Sequence, residues 1–291
     1  MNNKRISAIS AAFVTMLFWG LSFIASKYAL DAGVPPLTLA FLRYAILTPF
    51  IVLLTQLGGK KSMRVSRKDL LRIAPSALLG ITAYYYSEYT GLLHTSASIA
   101  SVMLATIPLL TTLTESIMYK KKISPAVWVG VLSSVGGVAM VAYAPGGAGT
   151  PFGFFMLLLT CMSWVAYIMT VRGVAADIEP LRLLSWQCVI ALISLAPLAY
   201  TERAKWAPLT PDIILVAAML ALICSGACYV LYNYALVKLG SIITSSMLNI
   251  IPVVSVIAGA LLLGERLTTL QLLGGAVIIA STLLVVISSS K

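Results

Sequence analysis

Ile99-Ala100-Ser101-Val102-Met103-Leu104-Ala105-Thr106-Ile107-Pro108 returns 144 positions later as Ile243-Thr244-Ser245-Ser246-Met247-Leu248-Asn249-Ile250-Ile251-Pro252, with six of the ten residues identical. The match spreads outward. Trp19 pairs with Trp164, Lys27 with Arg172 and Pro35 with Pro180 at an offset of 145, while Tyr85 pairs with Tyr229 and Gly130 with Gly274 at 144, so one small gap reconciles the copies. Apolar sequences can be slid into chance agreement. Here Trp, Pro, Gly and a basic residue agree in the same order, which marks an internal duplication.

Sixty per cent of the 291 residues are hydrophobic and 10% charged, with a mean hydropathy of +0.98. A soluble domain carries about 25% charged residues, so this chain belongs in lipid. The net charge of +11 does not imply nucleic acid, because the basic residues fall mostly in short loops between apolar runs. Met1-Asn2-Asn3-Lys4-Arg5 leads into an apolar run longer than a signal-peptide core and without a small-residue cleavage site, so the first helix is expected to stay. Cys161, Cys188, Cys224 and Cys228 lie inside apolar runs without accompanying His or carboxylate, which reads as packing and not as a metal site.

Crossing the hydrocarbon core takes roughly 20 apolar residues. Ten windows qualify: 7–30, 36–56, 69–92, 96–118, 124–144, 151–172, 180–200, 211–238, 241–263 and 268–288. Turn-forming residues separate them at Gly33-Val34-Pro35-Pro36, Pro145-Gly146-Gly147-Ala148-Gly149 and Glu179-Pro180, and Ser124-Pro125 reads as a capped helix start. With the N-terminus in the cytoplasm, that side collects Lys4, Arg5, Lys60, Lys61, Arg64, Arg67, Lys68, Arg72, Lys120, Lys121, Lys122, Arg172, Arg182, Lys238 and Lys291, against Arg203, Lys205 and Arg266 outside. Both termini are therefore expected to be cytoplasmic. The expected fold is all-α and integral to the membrane: ten transmembrane helices in two five-helix repeats, 1–145 and 146–291. An odd number of spans per copy inverts the second repeat, the arrangement that supports alternating access.

Phe18-Trp19-Gly20-Leu21-Ser22-Phe23, then Lys27-Tyr28-Ala29-Leu30, Gly33, Pro35-Pro36 and Arg43, resembles the opening helix pair of the EamA family in the drug/metabolite transporter superfamily. Tyr89-Thr90-Gly91-Leu92 through Thr95-Ser96-Ala97-Ser98 and Pro108 is similar to that family's third and fourth helices, and Pro252 through Gly264-Glu265-Arg266-Leu267 to its ninth helix and the following turn. Lys121-Lys122 stands in the first half where the second has Glu265-Arg266, so the acidic turn is absent there. The resemblance spans nearly the whole chain and implies ten helices in two inverted five-helix repeats around a central cavity, and export of amino acids or related small metabolites from a prokaryotic plasma membrane, the inner one in a Gram-negative cell. Within the family the chain is most similar to aromatic amino-acid exporters. A small-molecule substrate and membrane lipid are the partners implied, with the chain taken as a monomer and with no cofactor and no nucleic acid.

Charges inside spans cost about 2.5 to 3.5 kcal/mol at a helix centre, so each must meet protein, water or a partner. Lys27, Arg43, Glu88 and Glu115 stand out. The first three reach similar depth, and Glu88 is expected to pair with Arg43 or Lys27, leaving one basic group for a substrate carboxylate. Lys27 equally suits snorkelling to the interface, Arg43 a helix-to-helix lock, and Glu115 pairing with the nearby Lys120 to Lys122. Trp19 and Phe23, Tyr85 and Tyr89, Trp164, Trp186, Tyr229 and Tyr232 are candidates for an aromatic cavity lining that would suit an amphipathic solute, or for helix packing. Asn249, Asn233 and Gln187 are amides in spans that suit either substrate or helix contact. His94, the lone histidine, reads as a surface loop residue. Pro108 and Pro252 each remove a backbone hydrogen bond and are expected to kink their helices. No cluster of acid, base, nucleophile or metal ligands supports an enzyme. A proton-coupled multidrug or cation exporter is the alternative, with Glu88 as its cavity carboxylate.

Overall fold

The computed structural model describes residues 3–57, 63–118, 120, 124–142, 149–206 and 208–289. Lys60, Lys61, Tyr119, Lys121, Lys122, the linker residues Pro145 to Ala148 and Lys291 lie outside them.

The described residues form helices joined by short turns, with an isolated β-bridge between Thr95 and Gly149: α1 (Asn3–Asp31), α2 (Pro36–Leu57), α3 (67–93), α4 (Ala97–Met118), α5 (Pro125–Ala142), α6 (Pro151–Asp177), α7 (Pro180–Thr201), α8 (Pro211–Leu239), α9 (Ser241–Leu263) and α10 (Thr269–Ser289). As far as the described residues reach, each apolar window of the sequence falls on one of them. Proline opens several where its missing N–H costs nothing, as at Pro151, Pro180 and Pro211, and Thr150 caps α6 by accepting from the Gly153 amide at 3.1 Å. Gly240 (φ 84°) and Gly264 (φ 66°) take the left-handed turns that end α8 and α9.

Seven of the helices, α1, α2, α4, α6, α7, α8 and α9, are long and apolar enough to cross a membrane. The surface fits that setting, because Leu261 is 78% exposed and Leu215 72%, an outward apolar coat that only lipid tolerates. The centre of α3 is less apolar, holding three tyrosines, Ser87, Glu88 and Tyr89.

Contacts across the two ends fix how the helices run. At one end, Lys27 Nζ donates to the Leu92 carbonyl (3.1 Å), the Tyr28 hydroxyl to Asp212 (2.7 Å) and the Thr38 amide to Glu202 (2.8 Å). At the other, Arg72 meets Asp177 (2.7 Å) and Trp186 Nε1 donates to the Met63 carbonyl (2.8 Å). We call these the Gly33 end and the Arg72 end. Helix α1 packs between α8 and α9, α6 between α3 and α4, and α2 lies along α7. Along α5 and α10 the backbones touch: a Cβ on Gly137 would sit 2.8 Å from the Gly274 carbonyl oxygen, and one on Gly274 2.7 Å from that of Gly137. Gly136, one residue before, instead faces open space.

Two irregularities shape the centre. In α4 the helical pattern breaks into a turn at Ala105-Thr106 and in α9 at Leu248-Asn249, each shortly ahead of a proline, Pro108 or Pro252. A proline cannot donate to the carbonyl four residues back, here Leu104 and Leu248, so the chain yields at that point. In α3 and α8 the winding loosens to π-helix at Leu78–Ala83 and Leu220–Ala227, which frees carbonyls from the regular ladder.

Candidate functional site

Helices α1, α3, α4, α6, α8 and α9 meet around a narrow cavity of about 20 Å³ lined by Trp19, Ser22, Phe23, Tyr84, Tyr85, Glu88, Leu104, Ile107, Trp164, Tyr229, Leu248 and Ile251. Trp19 and Trp164, equivalent in the two copies, meet edge to face with ring centroids 5.2 Å apart. Tyr84 packs on Trp164 at 5.0 Å, and Tyr232 wedges behind both indoles, 5.1 Å from Trp19 and 5.3 Å from Trp164. Such tilted and edge-on pairs favour rings whose positive edges meet negative faces, and they leave the walls apolar.

The loosened carbonyls of the π-helical segments are used unequally. Trp19 Nε1 donates to the Cys224 carbonyl at 2.9 Å. The equivalent carbonyl in the first copy, Gly80, is occupied by the Tyr229 hydroxyl at 3.0 Å, and Trp164 Nε1 is buried beside the Tyr232 hydroxyl instead. Gly80 is a close approach in its own right, since a Cβ there would stand 2.1 Å from the Tyr167 ring.

Glu88 is the charged residue of the lining, 6% exposed, and accepts from the Tyr84 hydroxyl at 3.0 Å. Its expected ion pair with Arg43 or Lys27 is not formed. Arg43 is 2% exposed and spends its donors on the Ser225 hydroxyl (3.0 Å), the Tyr89 hydroxyl and the Leu220 carbonyl (3.2 Å). Its guanidinium lies 4.4 Å from the centroid of the Tyr85 ring, so a cavity-lining tyrosine stands against it. Lys27 instead pairs with Asp31 at 3.0 Å and donates to Leu92. The reason is rotational: equal depth along three helices does not put side chains on facing sides.

Of the sequence candidates, Trp19, Phe23, Tyr85, Glu88, Trp164 and Tyr229 therefore line the cavity. Tyr89 holds Arg43, and Tyr232 backs the indoles. Asn249 sits in the α9 turn beside Leu248, with both ends of its amide buried and unbonded. Trp186 is elsewhere, tied to Met63 at the Arg72 end. Asn233 and Gln187 join helices, accepting from Tyr167 (2.8 Å) and donating to Ser76 (2.9 Å) respectively. Glu115 pairs with Arg172 at 3.0 Å and with the Ser241 hydroxyl, not with Lys120; Lys121 and Lys122 are outside the described residues. His94 stacks edge-on to Phe152. Sequence reading missed Ser22, Tyr84 and the aliphatic floor, although Tyr84 stands next to Tyr85 in a run of three tyrosines that signals them.

A second, larger cavity of about 520 Å³ lies at the Gly33 end, lined by Val34, Thr38, Phe41, Trp206, Leu209 and Asp212 among others.

The profile of the EamA-like transporter family matches residues 6–143 and again 151–287. The chain belongs to the EamA-like transporter family. It is 26% identical over 286 residues to a probable terminal-alkyne amino-acid exporter of Streptantibioticus cattleyicolor, covering 97% of this chain and 94% of that one. It is 26% identical to an uncharacterized transporter of Archaeoglobus fulgidus, covering 94% and 96%, and 25% identical to the inner membrane transporter YedA of Escherichia coli, covering 97% and 91%. A crystal structure 17% identical superposes with a TM-score of 0.69 over 98% of this chain and 99% of that one, which establishes a shared fold. As a member of the EamA-like transporter family, the chain is a membrane transporter and its family names no enzyme. Its aromatic cavity lies where the two matched segments face each other.

Proposed function

We propose that this protein is a secondary transporter that exports amino acids, aromatic ones included, or related small metabolites by alternating access. The observation that carries this reading is the cavity itself: indole and phenol rings from both copies surround one carboxylate, Glu88, at mid-depth. Rings supply apolar contact and attract a cation on their faces, and the carboxylate receives an ammonium group, so the site suits an amphipathic amine. The amino-acid exporter of Streptantibioticus cattleyicolor adds support for the class.

Ten transmembrane helices in two inverted repeats, 1–145 and 146–291, supply the motion. Alternating end contacts support the inversion, as does the exchange of neighbours, with α1 between α8 and α9 where its counterpart α6 lies between α3 and α4. Arg64, Arg67, Lys68, Arg72, Arg172 and Lys238 gather toward the Arg72 end, which supports a cytoplasmic placing of that end and of both termini.

The same carboxylate favours a second reading, proton-coupled export of organic cations. Purified protein in proteoliposomes distinguishes them: labelled amino acids and organic cations are offered for counterflow with and without a pH gradient. Saturable counterflow of an aromatic amino acid is expected, falling at least about 10-fold in Glu88→Gln. Transport of cations alone, driven by the pH gradient, selects the second reading. Flux that does not saturate overturns both.

A further inference from the structure

We propose that the cavity of about 520 Å³ at the Gly33 end is a second binding site, separate from the central one, for a small aromatic amine whose ammonium group meets Asp212 and whose ring packs against Phe41 and Trp206. The proposal goes beyond the transport reading and does not depend on it. Its walls come from the α1–α2 turn, α2 and the segment leading into α8, and they share no residue with the central lining.

The duplication shows why space is left there. Phe41 and Trp186 occupy equivalent positions, Phe41 on the helix that follows Pro35 and Trp186 on the one that follows Pro180. At the Arg72 end Trp186 uses its indole N–H to hold the α2–α3 segment through the Met63 carbonyl at 2.8 Å. Phe41 has no N–H to offer. The segment between α7 and α8 is tethered nearer the helix start instead, where Trp206 Nε1 donates to the Thr38 hydroxyl at 2.9 Å, and a cavity remains beside Phe41 and Leu42. Its rims are set before any ligand arrives. Gly33 (φ 94°) and Pro35 shape one, Pro208 and Pro211 bracket the other, and Glu202 pins the start of α2 through the Leu37 (3.3 Å) and Thr38 (2.8 Å) amides. Pockets that hold small ligands run to about 300–1,000 Å³, which includes this one. The central cavity, at about 20 Å³, has room for about one water in this conformation.

Charge then selects the ligand. Asp212 is the charged residue of the walls, and among the described residues it meets no Lys or Arg. The neighbouring charges are engaged: Lys27 pairs with Asp31 at 3.0 Å, Glu202 caps α2, and the Arg203 guanidinium lies 4.5 Å from the centroid of the Tyr200 ring. Neutral hydroxyls hold Asp212 in place, Tyr28 donating at 2.7 Å and Thr210 beside it. An ionised carboxylate has about four lone-pair sites, so two such donors position it and leave capacity for an ammonium N–H. The rings of Phe41 and Trp206 attract a cation on their faces and give an aromatic body apolar contact, which Leu209 and Ile213 extend. A lipid headgroup ammonium carries the same charge without a ring, so walls built of rings favour the soluble aromatic amine.

The test is equilibrium binding of labelled phenethylamine to full-length protein in phosphatidylcholine nanodiscs, with each variant first checked for a monodisperse profile. Wild type is expected to show a saturable component that survives Glu88→Gln within about twofold and that uncharged 2-phenylethanol displaces at least about 10-fold more weakly than unlabelled phenethylamine. Asp212→Asn keeps an acceptor for Tyr28 and removes the charge, and is expected to weaken that component about 10-fold. Leu209→Trp fills the cavity from a position that is 41% exposed, and is expected to abolish the component independently of Asp212. Binding lost in Glu88→Gln and kept in Asp212→Asn belongs to the central cavity and overturns the second site while leaving the transport reading intact. Equal binding in wild type, Asp212→Asn and Leu209→Trp overturns it as well, as does the absence of binding in wild type. Binding that disappears when phosphatidylethanolamine is added to the discs gives the cavity to a lipid headgroup and overturns the soluble amine. Failure of wild-type counterflow with this binding intact removes the transport reading alone.

Discussion

The two ends of the molecule are closed by carboxylates, and they are closed differently. At the Gly33 end Glu265, in the turn after α9, accepts from the backbone amides of Ala97 (2.8 Å) and Ser98 (2.9 Å) at the start of α4, while Glu202 does the same for Leu37 and Thr38 at the start of α2. At the Arg72 end, the start of α9 is met by Glu115, which rises from α4 and takes the Ser241 hydroxyl together with Arg172. The position equivalent to Glu115 in the second copy is Gly259, and a Cβ there would lie 2.8 Å from Glu265 Oε2. Both copies thus put a carboxylate at the same place against the next helix start, but one supplies it from the turn and the other from the helix wall. The missing acid at Lys121 is made good six residues upstream. One closure holds main chain and is part-buried; the other holds side chains, of which Arg172 is 45% exposed.

Removing the backbone closure has the largest expected effect. Glu265→Ala leaves two amides at a helix start without their charged acceptor and is expected to cost about 2–3 kcal/mol, since bonds to charged groups are worth roughly 1.5–3 kcal/mol and the orphaned donors add desolvation. Thermal unfolding in detergent reads it, and an unchanged midpoint breaks the comparison at its stronger side. Gly259→Ala probes the same place by crowding. Its methyl would stand 2.7 Å from Ser98 Oγ and 2.8 Å from the Glu265 carboxylate, so either must move, at about 1–2 kcal/mol by the usual cost of overpacking. A Gly259→Ala protein as stable as wild type would mean that the turn carries Glu265 aside freely.

Sequence made the scaffold legible because its signals are one-dimensional. Apolar runs of roughly 20 residues, bounded by turns such as Gly33-Val34-Pro35-Pro36 and Glu179-Pro180, need no partner to be recognised, and among the described residues they fall on helices. Charge pairing is a different kind of information. Depth along a span follows from counting residues, which placed Glu88, Arg43 and Lys27 at one level; rotation about each helix axis does not, and Tyr85 came to lie against Arg43 on the side where Glu88 was expected. Glu115 shows the same limit, because its partner Arg172 is 57 residues away in the other copy and no local spacing points to it. Trp186 was a candidate by residue type alone, and its indole is consumed by the Met63 carbonyl. The π-helical winding of α3 and α8, which decides who bonds Gly80 and Cys224, leaves no mark in composition or period.

The side-chain closure should yield least and respond to salt. Glu115→Gln keeps an acceptor for Ser241 and discards only the ion pair with Arg172, so the expected loss is about 0.5–1 kcal/mol, the range of a partly exposed pair. Wild type should lose about that much between 0.1 M and 1 M salt, as the screening length falls from about 10 Å to about 3 Å, while Glu115→Gln should lose little. Glu265, which binds neutral amides in a part-buried contact, should make no comparable salt-dependent contribution. The sharpest form of the comparison is therefore a pair of salt titrations: the difference between wild type and Glu115→Gln should close at high salt, and the difference between wild type and Glu265→Ala should persist. If both close together, the Gly33 end is also held by a screened charge and the two closures are one device built twice.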